Sequence, residues 1–129
     1  MTSCIVSLTA ANIKYLLVLH RLDQGKGGVR CTDVAEMLKV SKPSTHKMMN
    51  AFKNLGLICK GHYGSVYLTH FGKELACRYY RCYEDAYRHF SWLLPENVDV
   101  KSVVYSVFSE ITIEEIEKMC AKMNTQVTH

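Results

Sequence analysis

Between Glu36 and Glu74 the chain has no carboxylate, yet it carries Lys39, Lys42, Lys47, Lys53, Lys60 and Lys73. The same stretch is punctuated at Val40-Ser41, at Gly56 and at Gly61-His62-Tyr63-Gly64. Those breaks divide it into helix, turn, helix and two-stranded ribbon. A one-sign charge run on a folded unit is unusual, because like charges held together repel one another. A polyanionic partner would reward it, since each lysine that neutralises a phosphate releases condensed counterions. The bland alternative is a solvated basic face.

At 129 residues the chain makes one domain, or one domain with a helical extension. Apolar residues make up 48%, enough for a core. The net charge of +4 is unevenly spread. After Pro95 the carboxylates Glu96, Asp99, Glu110, Glu114, Glu115 and Glu117 outnumber the basic residues. A basic middle and an acidic end imply two jobs, with the acidic end kept away from the polyanion. The cysteines are Cys4, Cys31, Cys59, Cys77, Cys82 and Cys120, with no C-x-x-C pair. Without a secretory signal, scattered cysteines are expected to be reduced, semi-buried small hydrophobes. No apolar run approaches the roughly twenty residues a membrane helix needs, so no membrane partner is expected and the cytoplasm is the expected compartment.

Thr9 caps an expected amphipathic helix to Leu22, with Ile13, Leu16 and Leu17 inward. The glycine-rich run from Gln24 to Gly28 breaks it, and Val29-Arg30-Cys31 is short enough for a small strand. Thr32 is the expected cap of a second helix, with Asp33 in its first turn and Val34, Ala35 and Leu38 as its buried stripe. Ser41 caps a third helix, with Pro43 in its first turn and Gly56 at its end. Leu57–Lys60 and Ser65–Leu68 are strand-like around a four-residue hairpin. Thr69 caps a long helix, His70 to Leu93, which Pro95 ends. Helices over Val100–Phe108 and Thr112–Met123 follow, the last opened by a capping box, Thr112 with Glu115.

This order is a winged helix-turn-helix. The expected fold class is mostly α, with a two-stranded wing and a helical dimerisation region; the expected division is residues 1–76 and 77–129. Ala35 lets two helices cross closely, and Val40 plugs the turn. The third helix would enter a major groove at its N-terminal end. Lys42, Ser44, Thr45, His46 and Lys47 lie there, and Asn50 lies one turn on. Lysine bonds guanine acceptors, and Ser or Thr bonds base edges or phosphate. The wing adds Lys60, His62 and Tyr63 as donors to phosphate or a minor groove; for Tyr63 a packing role at the hairpin tip is the alternative.

The chain resembles the diphtheria-toxin-repressor family of metal-dependent transcriptional repressors. The resembling residues run from Val34 to Ser44, then Leu55-Gly56-Leu57-Ile58, then Leu68-Thr69-His70-Phe71-Gly72-Lys73-Glu74-Leu75-Ala76. The likeness extends from about Leu8 to Cys120. It implies a homodimer on double-stranded DNA, a short form without a third domain, and control by manganese or iron(II). It also implies metal ligands on the first helix, the long helix and the helix after it. Those positions fall on Ala11 and Lys14, on Tyr83 and Tyr87, and among Val103 to Ser109, which hold no Glu or His cluster. Alanine offers no donor atom and a protonated lysine is no ligand, so the family's metal site is not expected here and no cofactor is expected. Cys82, Asp85 and His89, on one helical face, are the remaining metal candidates; a core cysteine and a surface histidine are the plainer reading. Two other functions stay open: a winged-helix regulator sensing an organic ligand between aromatic-rich helices (Tyr79, Tyr80, Tyr83, Tyr87, Phe90), and a protein-interaction module. No phosphate-binding glycine loop, nucleophile elbow or H-E-x-x-H is present, so an enzyme is not expected.

Overall fold

The computed structural model describes residues 8–25 and 27–127; Cys4 and Lys26 lie outside them. The elements are α1 (Ala10–Leu22), β1 (Val29–Arg30), α2 (Cys31–Leu38), α3 (Lys42–Asn54), β2 (Ile58–Lys60), β3 (Ser65–Leu68), α4 (His70–Leu93), α5 (Val100–Glu110) and α6 (Ile113–Val127). They form two compact units. One is Lys14–Cys77; the other takes the described residues before Lys14 and those from Arg78 onward.

The chain enters each of its first three helices by a different device. Thr9 caps α1 reciprocally: its Oγ1 accepts from Asn12 N at 3.0 Å, and its own N–H donates to Asn12 Oδ1 at 3.1 Å. Tyr15 to Leu19 are all buried. The expected one-sided stripe is therefore a helix buried all round over that stretch. Helix α2 has Arg30 as its N-cap, without a side-chain cap, and not Thr32. The reason is the sheet: Cys31 N–H donates to Gly64 O at 3.0 Å, so the strand itself satisfies the first free amide. Ser41 caps α3 as expected, accepting from Ser44 N at 3.2 Å.

The end of α3 is a Schellman motif. Gly56 N–H donates to Lys53 O at 3.0 Å and Leu57 N–H to Phe52 O at 2.9 Å, with Gly56 at φ +79°. That is the backbone glycine adopts without a Cβ penalty. Thr69 then joins this end to the start of α4. Its Oγ1 donates to Gly56 O at 2.6 Å and accepts from Gly72 N at 2.9 Å, and its N–H donates to Leu57 O at 2.9 Å. A Cβ at Gly72 would collide with Leu57 O, so this crossing tolerates only glycine.

The wing is the antiparallel pair β2–β3, in register Ile58 to Leu68, Cys59 to Tyr67 and Lys60 to Val66. Strand β1 adds to the other edge of β3, Val29 opposite Val66 and Arg30 opposite Ser65. The sheet thus has three strands where two were expected; two residues are too few to announce a pairing in sequence. Buried Val29, Ile58, Val66 and Leu68 line one face, as period-two alternation requires.

In the second unit α4, α5 and α6 supply the buried Tyr79, Cys82, Ala86, Val104, Phe108, Ile113, Ile116, Cys120 and Met123. Asp99 caps α5, and Thr112 with Glu115 forms the expected reciprocal box at α6. Arg78 ties α4 to α6 by a two-pronged bond to Glu117, 2.8 and 2.6 Å.

Candidate nucleic-acid interface

Lys42, Ser44, His46, Lys47 and Asn50 are all exposed along α3. No acidic residue stands in the first turn of the helix, so its positive end faces solvent with the lysines. Ser44 is partly engaged at the cap, where its Oγ accepts from Ser41 Oγ at 2.9 Å. The inward face holds Met49 and Phe52, each fully buried.

Two sequence expectations fail here. Thr45 is fully buried, and its hydroxyl donates to Ser41 O at 3.1 Å. It fastens the first turn of α3 and cannot face a groove. Val40 does not plug the turn between α2 and α3, being 37% exposed. The turn is held by backbone instead: Lys39 sits in the left-handed region at φ +57°, and Val40 N–H donates to Ala35 O at 3.0 Å. Lys39 takes a conformation usually left to glycine.

The wing meets α3 through one pair. Lys60 Nζ donates to Asn50 Oδ1, a contact that sequence spacing alone does not reveal. Beyond it the chain turns tightly: Ser65 N–H donates to His62 O at 3.1 Å, and both central residues, Tyr63 (φ +55°) and Gly64 (φ +77°), have positive φ. That is the turn whose twist matches a hairpin. A bulky residue there is strained. Tyr63 gains no packing in return, being 98% exposed, so the packing alternative is excluded. The His62 ring lies 6.1 Å from it.

Residues 7–66 match the family model described as the iron dependent repressor, N-terminal DNA binding domain. This part of the chain is similar to an iron-dependent-repressor DNA-binding domain. By fold, the chain is similar to the T. acidophilum IdeR (24% identity, TM-score 0.64, covering 93% of this chain and 56% of that one). It is also similar to the manganese regulator SloR (20%, 0.67, 84% and 52%). A third similar structure is the hypothetical protein SSo2273 from Sulfolobus solfataricus (18%, 0.58, 93% and 89%). At these identities the likeness establishes the fold. The chain spans little more than half the length of IdeR and SloR. No curated protein sequence matches. The family match and the fold together support a DNA-binding regulator.

The positions where the family resemblance would put metal ligands lie as follows. Ala11 and Lys14 are exposed, while Tyr83 is half-buried and Tyr87 38% exposed. Ala11 has no donor atom, and a protonated Lys14 has no lone pair to give a metal. The candidates Cys82, Asp85 and His89 are each engaged elsewhere. Cys82 is buried on Cys120, whose Sγ lies 3.5 Å from Cys82 O; its hydrogen bond with the Cys120 thiol, and then burial, push the Cys82 thiol up. Asp85 accepts from Asn124 Nδ2 at 3.1 Å and lies 3.5 Å from Arg88. The His89 ring lies against Phe90. Among the described residues no three His, Cys, Asp or Glu side chains converge to hold an ion. The described cysteines are free thiols, Cys59 exposed and Cys31, Cys82 and Cys120 buried.

The aromatic residues of α4 are placed as follows. Tyr79 and Phe108 are sealed within the unit, ring centroids 6.3 Å apart. Tyr83 stacks on Tyr105 at 5.4 Å and lies 5.8 Å from Tyr87. What remains open is the end of α4, where Trp92 is 83% and Leu93 56% exposed.

Proposed function

We propose that this chain is a sequence-specific transcriptional repressor that binds duplex DNA as a homodimer in the cytoplasm. Residues 1–76 bind DNA and residues 77–129 mediate dimerisation. The carrying observation is the exposed, carboxylate-free face of α3 with Lys42, Ser44, His46, Lys47 and Asn50, linked through Lys60 to the wing residues His62 and Tyr63. In this arrangement α3 lies in the major groove and the wing follows the backbone or minor groove. Thr45 is not among the contacts. The dimer surface includes the end of α4, with Tyr87, Trp92 and Leu93, because an apolar cluster left at a helix end favours burial against a partner. No described helix is long and apolar enough to cross a membrane.

The test is a salt titration of binding to duplex DNA. Affinity falls steeply with salt for a phosphate-tracking protein. Lys42→Ala and Lys47→Ala each weaken binding, and a lysine that contacts phosphate takes about one unit off the salt slope when removed. Unchanged affinity in the folded double variant removes α3 from the interface. Light scattering at micromolar concentration checks the dimer; a monomer there rejects it.

A further inference from the structure

We propose that Lys60 decides which base Asn50 reads, making this position of the recognition helix select guanine over adenine. The inference rests on α3 being the groove helix. A free asparagine presents both an acceptor and donors, which is why it pairs two-pronged with adenine: Oδ1 takes the N6 amino hydrogen while Nδ2 donates to N7. In this chain Oδ1 is already held by the Lys60 ammonium. The bond turns the amide oxygen toward β2 and leaves Nδ2 to lead. The second lone pair on Oδ1 does not restore the adenine mode, because a full positive charge at that oxygen repels the amino hydrogens of adenine. The composite group Asn50–Lys60 therefore offers donors only. Guanine is the base whose major-groove edge offers two acceptors, O6 and N7.

The register of the wing makes the arrangement more than a chance surface contact. Lys60 pairs with Val66, and Val66, Ile58 and Leu68 are buried on the face of the sheet that their alternation shares with Lys60. Lys60 is the last residue of that face and of β2, so the strand directs its stem toward α3. Immediately after it, Gly61 N–H donates to Ser65 O at 2.8 Å, which closes the hairpin and fixes the strand end. Asn50 and Lys60 are both exposed, so both can be changed without opening the core.

The test selects binding sites from a random-sequence duplex library with the full chain, reads the bound pool by sequencing, and repeats this with Asn50→Ala, Lys60→Met and Lys60→Arg. The wild type enriches guanine at one site position. Asn50→Ala loses that discrimination, Lys60→Met shifts the adenine-to-guanine ratio there by about tenfold toward adenine, and Lys60→Arg keeps guanine. Equal thermal melts confirm that the variants fold. If the wild type enriches a motif that Asn50→Ala leaves intact, the inference fails while the DNA-reading function stands. If Lys60→Met weakens all sequences alike and lowers the salt slope with no change of base, Lys60 is a phosphate contact and the inference again fails. If the wild type enriches nothing, both readings fall.

Discussion

Thr45 illustrates how a residue type misleads when its direction is unknown. Spacing from Ser41 puts it in the first turn of α3, but only the packed structure shows that its side chain points inward. Thr45→Ala is expected to destabilise the fold by about 1–2 kcal/mol through a lost buried hydroxyl bond and methyl, with the base preference of the folded protein unchanged; thermal melts and site selection check both parts. Tyr79 is the opposite case. Its hydroxyl is buried with no hydrogen-bond partner among the described residues, and burial pushes its pKa up to about 12. Tyr79→Phe removes an unsatisfied polar group and is expected to raise stability by about 1 kcal/mol. Glu117 offers a pH test. The hydrogen bond from Arg78 holds its carboxyl below the ordinary value, so its stabilisation is present above the unfolded carboxylate range and lost as pH falls through the lower folded value. Both side chains are more than a third exposed, which limits the effect to about 0.5 kcal/mol. Denaturant curves of Glu117→Gln are expected to show that deficit at pH 7 and none near pH ~3.

At the level of elements, the joint between α3 and α4 shows why some of the chain was legible from sequence. Gly56, Thr69 and Gly72 each meet a local requirement: a left-handed cap, a side-chain cap and a backbone crossing. Local requirements select residue types, so the helix limits and the hairpin could be read directly. Gly72→Ala forces a Cβ onto the Leu57 carbonyl and is expected to cost more than about 2 kcal/mol, measured by chemical denaturation. The pairing of β1 with β3 and the cap of α2 were not legible, because Arg30 and Cys31 are satisfied by Ser65 and Gly64, more than thirty residues away. The Asn50–Lys60 contact escaped for the same reason: α3 and β2 must both be in place before the two residues meet.

For the whole molecule, the sequence showed the aromatic residues of the long helix, Tyr79 among them, but not what would cover them. Helices α5 and α6 do so within the same chain, which leaves a smaller surface for a partner. The DNA-binding region resembles the iron-dependent repressors, while the positions where that resemblance would put metal ligands hold Ala11, Lys14, Tyr83 and Tyr87, of which alanine has no donor atom and a protonated lysine has no free lone pair. Duplex affinity is therefore expected to change by less than about threefold on adding manganese or iron(II), or a chelator, equivalent to about 0.65 kcal/mol. Filter binding in metal-free buffer checks this; a tenfold rise that Cys82→Ala abolishes would reinstate a metal site on α4. Trp92, the single tryptophan of the chain, stands at the open end of α4. In the isolated folded chain its indole is already wetted, so its fluorescence emission scarcely shifts when a monomer unfolds. Its accessibility to a dissolved quencher such as acrylamide drops instead when another copy covers that end. The molecule thus carries an optical gauge that is nearly blind to unfolding and sensitive to assembly.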